Sequence, residues 1–94
     1  MVTLMEVEIT FDPAKDSTNR VKHGLSLTEA RRLDWDTALI ERDDRRNYGE
    51  DRMLGIGYVG HRLHVVVFVE RDGARRIISL RKTNEREDKR YAKT

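Results

Sequence analysis

The chain has 94 residues, the length of one small domain, and 38% of them are charged. It contains no cysteine, which excludes a disulfide framework and a thiolate metal site. No apolar run approaches the roughly 20 residues of a membrane-spanning helix, and the first ten residues lack the features of a signal peptide. We therefore expect a single cytoplasmic domain that spans residues 1–94.

The formal net charge of +2 is distributed unevenly. Residues 71–94 contain nine Lys or Arg and four Asp or Glu, whereas residues 1–70 contain ten and thirteen. The C-terminal third is therefore predicted to face a polyanion, and the acidic part is predicted to suit a basic partner.

The N-terminal third predicts a strand followed by a helix. Residues Val7–Thr10 (VEIT) have the composition of a strand, and Asp12 with Pro13 has the pattern of a helix start. Gly24 is placed to end this helix in a left-handed conformation. The helix is predicted to bury one face, formed by Ala14, Thr18, Val21 and Leu25.

The next segment predicts a second short helix and a strand. Ser26 and Glu29 have the spacing of a capping box, which predicts a helix through about Leu33. Thr37–Glu41 (TALIE) is a predicted strand, and the charged residues 42–51 form a predicted loop.

The C-terminal half predicts three antiparallel strands and a helix. The strands are Arg52–Val59, Arg62–Glu70 and Ala74–Lys82, separated by two-residue turns. Asn84 with Glu87 has the pattern of another helix start. We therefore predict an α+β domain: an antiparallel sheet of about four to five strands, two N-terminal helices and one C-terminal helix, with the helices on one sheet face.

Two-residue turns would fix which residues share a sheet face. The predicted core face contains Leu54, Ile56, Tyr58, Leu63, Val65, Val67, Val69, Ile78 and Leu80. The other face would bring Gly57, His64 and Arg81 into one row and Gly55, Val66 and Ser79 into the next. Glycine within a strand often marks the close approach of a ligand. The polar face is either a binding site or the solvated side of a half-exposed sheet.

Three segments together resemble the BrnT family of toxins from bacterial toxin–antitoxin pairs. They are NRVKHGLS at Asn19–Ser26, GEDRMLGIG at Gly49–Gly57 and RRIISLRKTNEREDKRY at Arg75–Tyr91, and the likeness covers about residues 9–91. The resemblance implies a fold similar to RelE-type ribonucleases and a growth-inhibiting endoribonuclease activity. It also implies a BrnA-type antitoxin, a ribbon-helix-helix protein that would neutralise the toxin and repress the shared operon by binding the operator DNA.

A ribonuclease of this kind needs a base for the 2′-hydroxyl, cations for the phosphorane and an acid for the leaving oxygen. The sequence has no His, Cys or Asp cluster at metal-ligand spacing, so we expect neither a metal ion nor another cofactor. Arginine keeps its charge and binds phosphate with two hydrogen bonds, so the candidates for phosphate stabilisation are Arg52, Arg76 and Arg81. Each of them is otherwise an exposed arginine or a member of an ion pair at the sheet margin.

The remaining candidates have alternative roles as well. Glu50 and His23 are candidates for proton transfer, although a cation at His23 would also stabilise the helix end. Lys22 is a candidate base or phosphate ligand, and Ser79 is a candidate hydrogen-bond donor to phosphate. The predicted RNA-binding residues are Lys82, Arg86 and Tyr91, of which Tyr91 could instead pack the last helix on the sheet.

A different class of function is also compatible with these residues. The chain could be a non-catalytic module that binds RNA or an antitoxin and acts only in co-repression of an operon. The charged loop Asp43–Asp51 is a candidate antitoxin surface because of its acidic residues.

Overall fold

A computed structural model describes residues 8–45 and 49–94. Within these ranges the elements are β1 (Glu8–Phe11), α1 (Pro13–His23), a 3-10 helix (Leu27–Arg32), β2 (Leu39–Arg42), β3 (Arg52–Val59), β4 (Arg62–Arg71), β5 (Ala74–Lys82) and α2 (Glu85–Ala92). The strands form one sheet in the order β1-β5-β4-β3-β2. In the described part of the chain, no helix is long and apolar enough to cross a membrane.

The predicted α+β class is confirmed, but the sheet is mixed rather than purely antiparallel. Strands β2 to β5 form the predicted antiparallel meander. Strand β1 pairs in parallel with β5, so that Glu8 lies opposite Ala74 and Phe11 opposite Ile77. A parallel neighbour needs a long connection, and a four-residue strand gives no indication in sequence of where its partner lies. Val7, which the sequence places in this strand, lies outside the described residues.

The predicted helix ends are confirmed. The Asp12 carboxylate accepts a hydrogen bond from the Ala14 N–H at 2.8 Å, and Pro13 is the first helical residue. Gly24 ends α1 with a φ of 69°, in the left-handed conformation that glycine adopts readily. Asn84 and Glu87 form the predicted capping box at the start of α2. Short polar patterns therefore located these helix ends correctly.

The predicted buried face of α1 is wrong. Ala14, Thr18 and Val21 are exposed, and residue Val21 is 86% accessible to solvent. The buried residue of this helix is Asn19. Its amide bonds to the backbone of β5, so α1 is docked by hydrogen bonds rather than by an apolar stripe.

The second helix is a 3-10 helix rather than an α-helix, and the predicted capping box does not form. Ser26 accepts a hydrogen bond from the Thr28 N–H, but Glu29 pairs with Arg32 instead of returning to Ser26. Leu27 and Ala30 are fully buried by the sheet. The strand predicted at Thr37–Glu41 begins two residues later, at Leu39.

The strand register was predicted correctly for one hairpin and incorrectly for the other. The hairpin of β3 and β4 has the predicted register, with Gly57 opposite His64. In the hairpin of β4 and β5, Phe68 lies opposite Ile77 whereas Val67 lies opposite Ser79, so Ile78 is an extra residue in β5. This β-bulge places Arg81 opposite Val65. The predicted row of Gly57, His64 and Arg81 is therefore wrong.

The prediction of which sheet face carries the main core is also wrong, independently of the bulge. The main core forms on the face that was predicted to be polar, where the 3-10 helix packs against Val66, Phe68, Ile77 and Leu80. The second face carries a smaller cluster of Ile56, Leu63 and Val65, with Tyr91 of α2 packed against it. Helices therefore cover both faces, and the prediction of helices on one face is wrong. The apolar run of β4 fits this arrangement, because it is buried on both sides.

Candidate functional site

The bulge in β5 places Arg81 on the sheet face that also carries Arg52 and Arg76, opposite the main core. We call it the arginine face, and it consists of alternate residues of three strands, which are Arg52, Leu54, Ile56, Tyr58, Leu63, Val65, Val67, Val69, Arg71, Arg76, Ser79 and Arg81. Helix α2 covers one end of this face. In the part of the chain that the structure describes, the other end is open.

The open end of the arginine face forms a hollow of about 290 Å³. We call it the arginine hollow, and its lining consists of Lys15, Glu50, Arg52, Val69, Arg71, Arg76 and Ile78. Val69 and Ile78 supply an apolar surface among the charged groups. Four cationic side chains accompany one carboxylate in this lining, so the hollow has the charge and donor groups to hold a phosphate.

Glu50 and Arg52 lie side by side in the arginine hollow. The Arg52 Nε donates to the Glu50 carboxylate at 3.3 Å, and the two side chains are 23% and 35% accessible to solvent. The predicted alternative of an ion pair at the sheet margin therefore describes the local geometry. The same pairing also places a proton acceptor next to a guanidinium, which is the arrangement that attack on a phosphate requires.

Arg76 lines the hollow, and its contact with Asp12 is too long to use a hydrogen-bond donor. Its guanidinium approaches Asp12 at 3.8 Å, a distance beyond that of a hydrogen bond. The contact with the Asp12 carboxylate holds the side chain near the start of α1, and Lys15 reaches the hollow from the first turn of the same helix.

Arg81 does not line the arginine hollow. Its two terminal nitrogens bond to the two oxygens of Glu87 at 2.8 and 2.7 Å. Hydrogen bonding to Arg81 is the main cause that lowers the pKa of Glu87 below its ordinary value, and the same contact raises the pKa of Arg81. Glu87 also closes the capping box of α2, so this ion pair ties the last helix to β5.

The acidic residues of the predicted antitoxin loop are paired with arginines in the loop or directly beside it. Asp43 is buried and bonds to Arg45 through both oxygens, and these bonds lower the pKa of its carboxyl group. Arg42 pairs with Asp44 and Asp51. Residues 46–48 of this loop lie outside the described residues.

The glycines and the histidine of the predicted polar face have structural roles. Gly57 is buried where a Cβ atom would lie 3.1 Å from the Ala38 Cβ and 3.4 Å from the Asp34 carbonyl oxygen. Close packing against Ala38 and Asp34, rather than against a ligand, accounts for glycine at this position. His64 is buried, and its Nδ1 lies 2.8 Å from the Arg62 carbonyl oxygen. The predicted open surface around these residues is therefore wrong.

The other predicted site residues lie outside the arginine hollow. Lys22 and His23 are exposed in the last turn of α1, about 10 Å along the helix from Lys15. Lys82 and Arg86 are exposed near the start of α2. Tyr91 packs on the second cluster, and its hydroxyl donates to the Thr37 carbonyl oxygen at 3.2 Å.

Two residues of the hollow, Lys15 and Arg71, were not predicted from the sequence. Arg71 continues the alternation of Val65, Val67 and Val69 along β4, so the strand pattern contained a usable signal. The sequence contained no such signal for Lys15, because the orientation of α1 depends on a hydrogen bond to a strand far along the chain.

Metal-ligating side chains do not cluster in the described part of the chain. In residues 8–45 and 49–94, no group of three or more His, Cys, Asp or Glu side chains is arranged to hold a metal ion. The groups available for chemistry in the arginine hollow are therefore one carboxylate, one ammonium and three guanidiniums.

The protein is a small α+β domain with a cationic cavity. Cavities of this charge suit ligands that carry phosphate groups. The family model described as "Ribonuclease toxin, BrnT, of type II toxin-antitoxin system" matches residues 11–87, and the chain belongs to this family.

A solved structure supports the same family. The crystal structure of the Brucella abortus ribonuclease toxin BrnT matches with a TM-score of 0.67 and 26% sequence identity, over 84% of this chain and 99% of that one. No protein with curated annotation matches the chain. The expected membership in the BrnT family is confirmed, whereas the likeness to RelE-type ribonucleases stays a prediction.

Proposed function

We propose that the chain is an endoribonuclease toxin that cleaves RNA in the arginine hollow without a metal ion. The observation that carries the proposal is the composition of this hollow, in which one carboxylate, Glu50, lies among Lys15, Arg52, Arg71 and Arg76. Membership in a family of ribonuclease toxins supports RNA as the target.

In the proposed reaction Glu50 takes the proton of a ribose 2′-hydroxyl. The 2′-oxygen then attacks the adjacent phosphorus, and the bond from phosphorus to the 5′-oxygen breaks. Arg52 and Arg76 stabilise the negative charge of the phosphorane, which is the task that metal ions perform in other nucleases. The products are a 2′,3′-cyclic phosphate and a free 5′-hydroxyl.

The leaving 5′-oxygen needs a proton, and the lining residues offer few sources. Arginine does not release its protons at physiological pH. Among the lining residues that the structure describes, this leaves Lys15 and the Glu50 that has just been protonated. We assign the proton transfer to Lys15, because Glu50 lies on the side of the attacking oxygen and an in-line reaction separates the two oxygens.

The remaining predicted residues receive supporting roles. Arg81 holds α2 in place through Glu87, and Ser79 lies on the arginine face next to the bulge. Lys22, His23, Lys82 and Arg86 are exposed, and we assign them to contacts with the RNA backbone beyond the hollow.

The proposed biological setting is that of a type II toxin–antitoxin pair. A BrnA-type ribbon-helix-helix antitoxin would bind the toxin, neutralise it and contact the operator DNA. The toxin would reach operator DNA only through this partner and would act on RNA in the cytoplasm.

The test is cleavage of a single-stranded RNA by the purified protein in the presence of EDTA. We expect cleavage with cyclic phosphate ends, reduced about 10²- to 10⁴-fold in Glu50→Gln and about 10²- to 10³-fold in Arg76→Ala. Arg32→Ala is the matched control, because this arginine lies on the 3-10 helix, paired with Glu29. RNA binding should persist in Glu50→Gln.

Two results would overturn the proposal. Cleavage that stops in EDTA and returns with Mg²⁺ would place a metal ion in the mechanism. Tight RNA or antitoxin binding by a properly folded wild-type protein that never cleaves would favour the non-catalytic module acting in co-repression.

A further inference from the structure

A second hollow lies on the arginine face, at the end that α2 covers. Its volume is about 410 Å³, within the range of ligand-binding pockets. Two tyrosines, Tyr58 of β3 and Tyr91 of α2, contribute to its lining, together with Arg62, His61 and Asp88. We call it the tyrosine hollow.

Tyr58 offers an aromatic surface to solvent from an ordered position. Its side chain belongs to the apolar row of the arginine face, yet 40% of the residue remains exposed. The Tyr91 ring meets it edge to face, with ring centroids 5.6 Å apart and the planes at 90°. Tyr91 is itself fixed by its hydroxyl bond to the Thr37 carbonyl. This contact therefore orients Tyr58 without covering it.

The wall of the tyrosine hollow carries a cation that the protein holds in place. Arg62 donates to the Thr83 carbonyl oxygen at 2.9 Å and to the Thr83 hydroxyl at 3.2 Å, and Asp88 lies 3.8 Å from it. The guanidinium thus has a fixed position beside the tyrosine rings. An aromatic ring next to a cation suits a nucleotide, whose base stacks and whose phosphate carries negative charge.

The tyrosine hollow also lies on the same strand as the arginine hollow. Tyr58 and Arg52 project from the same face of β3, six residues apart, which corresponds to about 20 Å of strand. A single RNA strand laid along this face would pass from one hollow to the other within a few nucleotides.

We propose that the tyrosine hollow binds an unpaired base of the RNA substrate, stacked on Tyr58, several nucleotides from the linkage that is cleaved. This proposal rests on the proposed function and adds a subsite to it. Stacking on an aromatic ring accepts any base, so the subsite selects single-stranded over paired RNA rather than one sequence.

The experiment measures binding of a 2′-fluoro RNA strand, which has no 2′-hydroxyl to attack and stays intact. We expect Tyr58→Leu to weaken binding about 5- to 100-fold, because it keeps apolar contact with Tyr91 but removes the ring. Tyr58→Phe should bind like the wild type. The salt dependence of binding should stay unchanged in both variants, since neither removes a phosphate contact.

Photo-crosslinking tests the subsite in the unaltered protein, so it does not depend on the folding of a variant. A strand with 5-iodouracil at successive positions should crosslink to Tyr58 or Tyr91 from one or two positions only. Crosslinks that avoid both tyrosines, or a Tyr58→Leu protein that folds and binds RNA normally, would overturn the proposal.

The outcomes also separate the subsite from the proposed function. Wild-type cleavage together with normal RNA binding by Tyr58→Leu removes the subsite alone. Loss of antitoxin binding in Tyr58→Leu with unchanged RNA affinity would assign the hollow to the protein partner. Wild-type protein that neither binds nor cleaves RNA removes both proposals.

Discussion

The side chain of Asn19 forms hydrogen bonds with both backbone polar groups of Leu80, 61 residues further along the chain. Its Nδ2 donates to the Leu80 carbonyl at 2.8 Å, and its Oδ1 accepts from the Leu80 N–H at 3.0 Å. Strand β1 pairs with β5 only as far as Ile77. The amide of Asn19 therefore takes the place of the next strand residue and fixes α1 on the edge of the sheet.

Asn19→Ala is expected to lower the free energy of unfolding by about 2 to 6 kcal/mol. The substitution leaves the buried N–H and C=O of Leu80 without partners, and each such group costs about 1 to 3 kcal/mol. Urea denaturation followed by circular dichroism measures the change. Ser17→Ala, at an exposed position of the same helix, is the control and should stay within about 0.5 kcal/mol of the wild type. Equal stability of the two variants would contradict this role of Asn19.

Gly57→Ala is expected to destabilise the fold by about 1 to 3 kcal/mol, because the new Cβ would press on Ala38 and the Asp34 backbone. The affinity of the folded variant for RNA should not change. Thermal unfolding and RNA binding are measured on the same sample. Normal stability combined with lost RNA binding would restore the interpretation that the glycine admits a ligand.

Glu87→Gln is expected to reduce stability at pH 7 by about 1 to 2 kcal/mol through loss of the ion pair with Arg81. The pKa of Glu87 is lowered in the folded protein, so its stabilisation is present above about pH 4.3, the ordinary value for Glu. It is lost as the pH falls through the lowered pKa. Denaturation curves from pH 7 to pH 3 should therefore converge for variant and wild type.

The control for this experiment is Glu85→Gln, which affects an exposed pair with Lys89 and should change stability by less than about 0.5 kcal/mol at pH 7. A Glu87→Gln deficit that stays constant down to pH 3 would show that packing, rather than charge, explains the effect.

Arg71→Ala is expected to weaken RNA binding and to reduce its dependence on salt. Each phosphate contact to a single strand contributes a slope of about 0.7 in the logarithmic plot of affinity against salt concentration. The variant should lose about one such contact, whereas Arg32→Ala should keep the wild-type slope. Fluorescence anisotropy at a series of salt concentrations between about 50 and 300 mM measures both slopes. An unchanged slope in Arg71→Ala would remove Arg71 from the RNA path.

Local polar patterns predicted much of the fold correctly. Asp12, Gly24 and the pair of Asn84 and Glu87 end their helices as expected, because a cap depends only on neighbours within a few residues. The strands β3 and β5 have their predicted bounds. The parallel partner of β1 and the docking of α1 through Asn19 depend on contacts across most of the chain, and no local pattern reveals them.

The candidate site was predicted only in part, because some of its geometry also depends on distant contacts. Glu50, Arg52 and Arg76, three of the predicted site residues, line the arginine hollow together, and their catalytic roles stay a prediction. The single extra residue Ile78 then separates Arg81 from the row in which the sequence placed it. A bulge has no dependable sequence signal when apolar residues flank it, and one residue suffices to exchange the two faces of a strand.

The parallel pairing of β1 with β5 also has a consequence during synthesis on the ribosome. Residues 8–11 are made early, but their partners at 74–77 follow only after several seconds at 5 to 20 residues per second. Of the residues that line the arginine hollow, Lys15 is synthesised early and Arg76 late. A nascent chain that ends before Arg76 lacks a complete arginine hollow. The hollow can therefore form on the ribosome only after β5 has been translated.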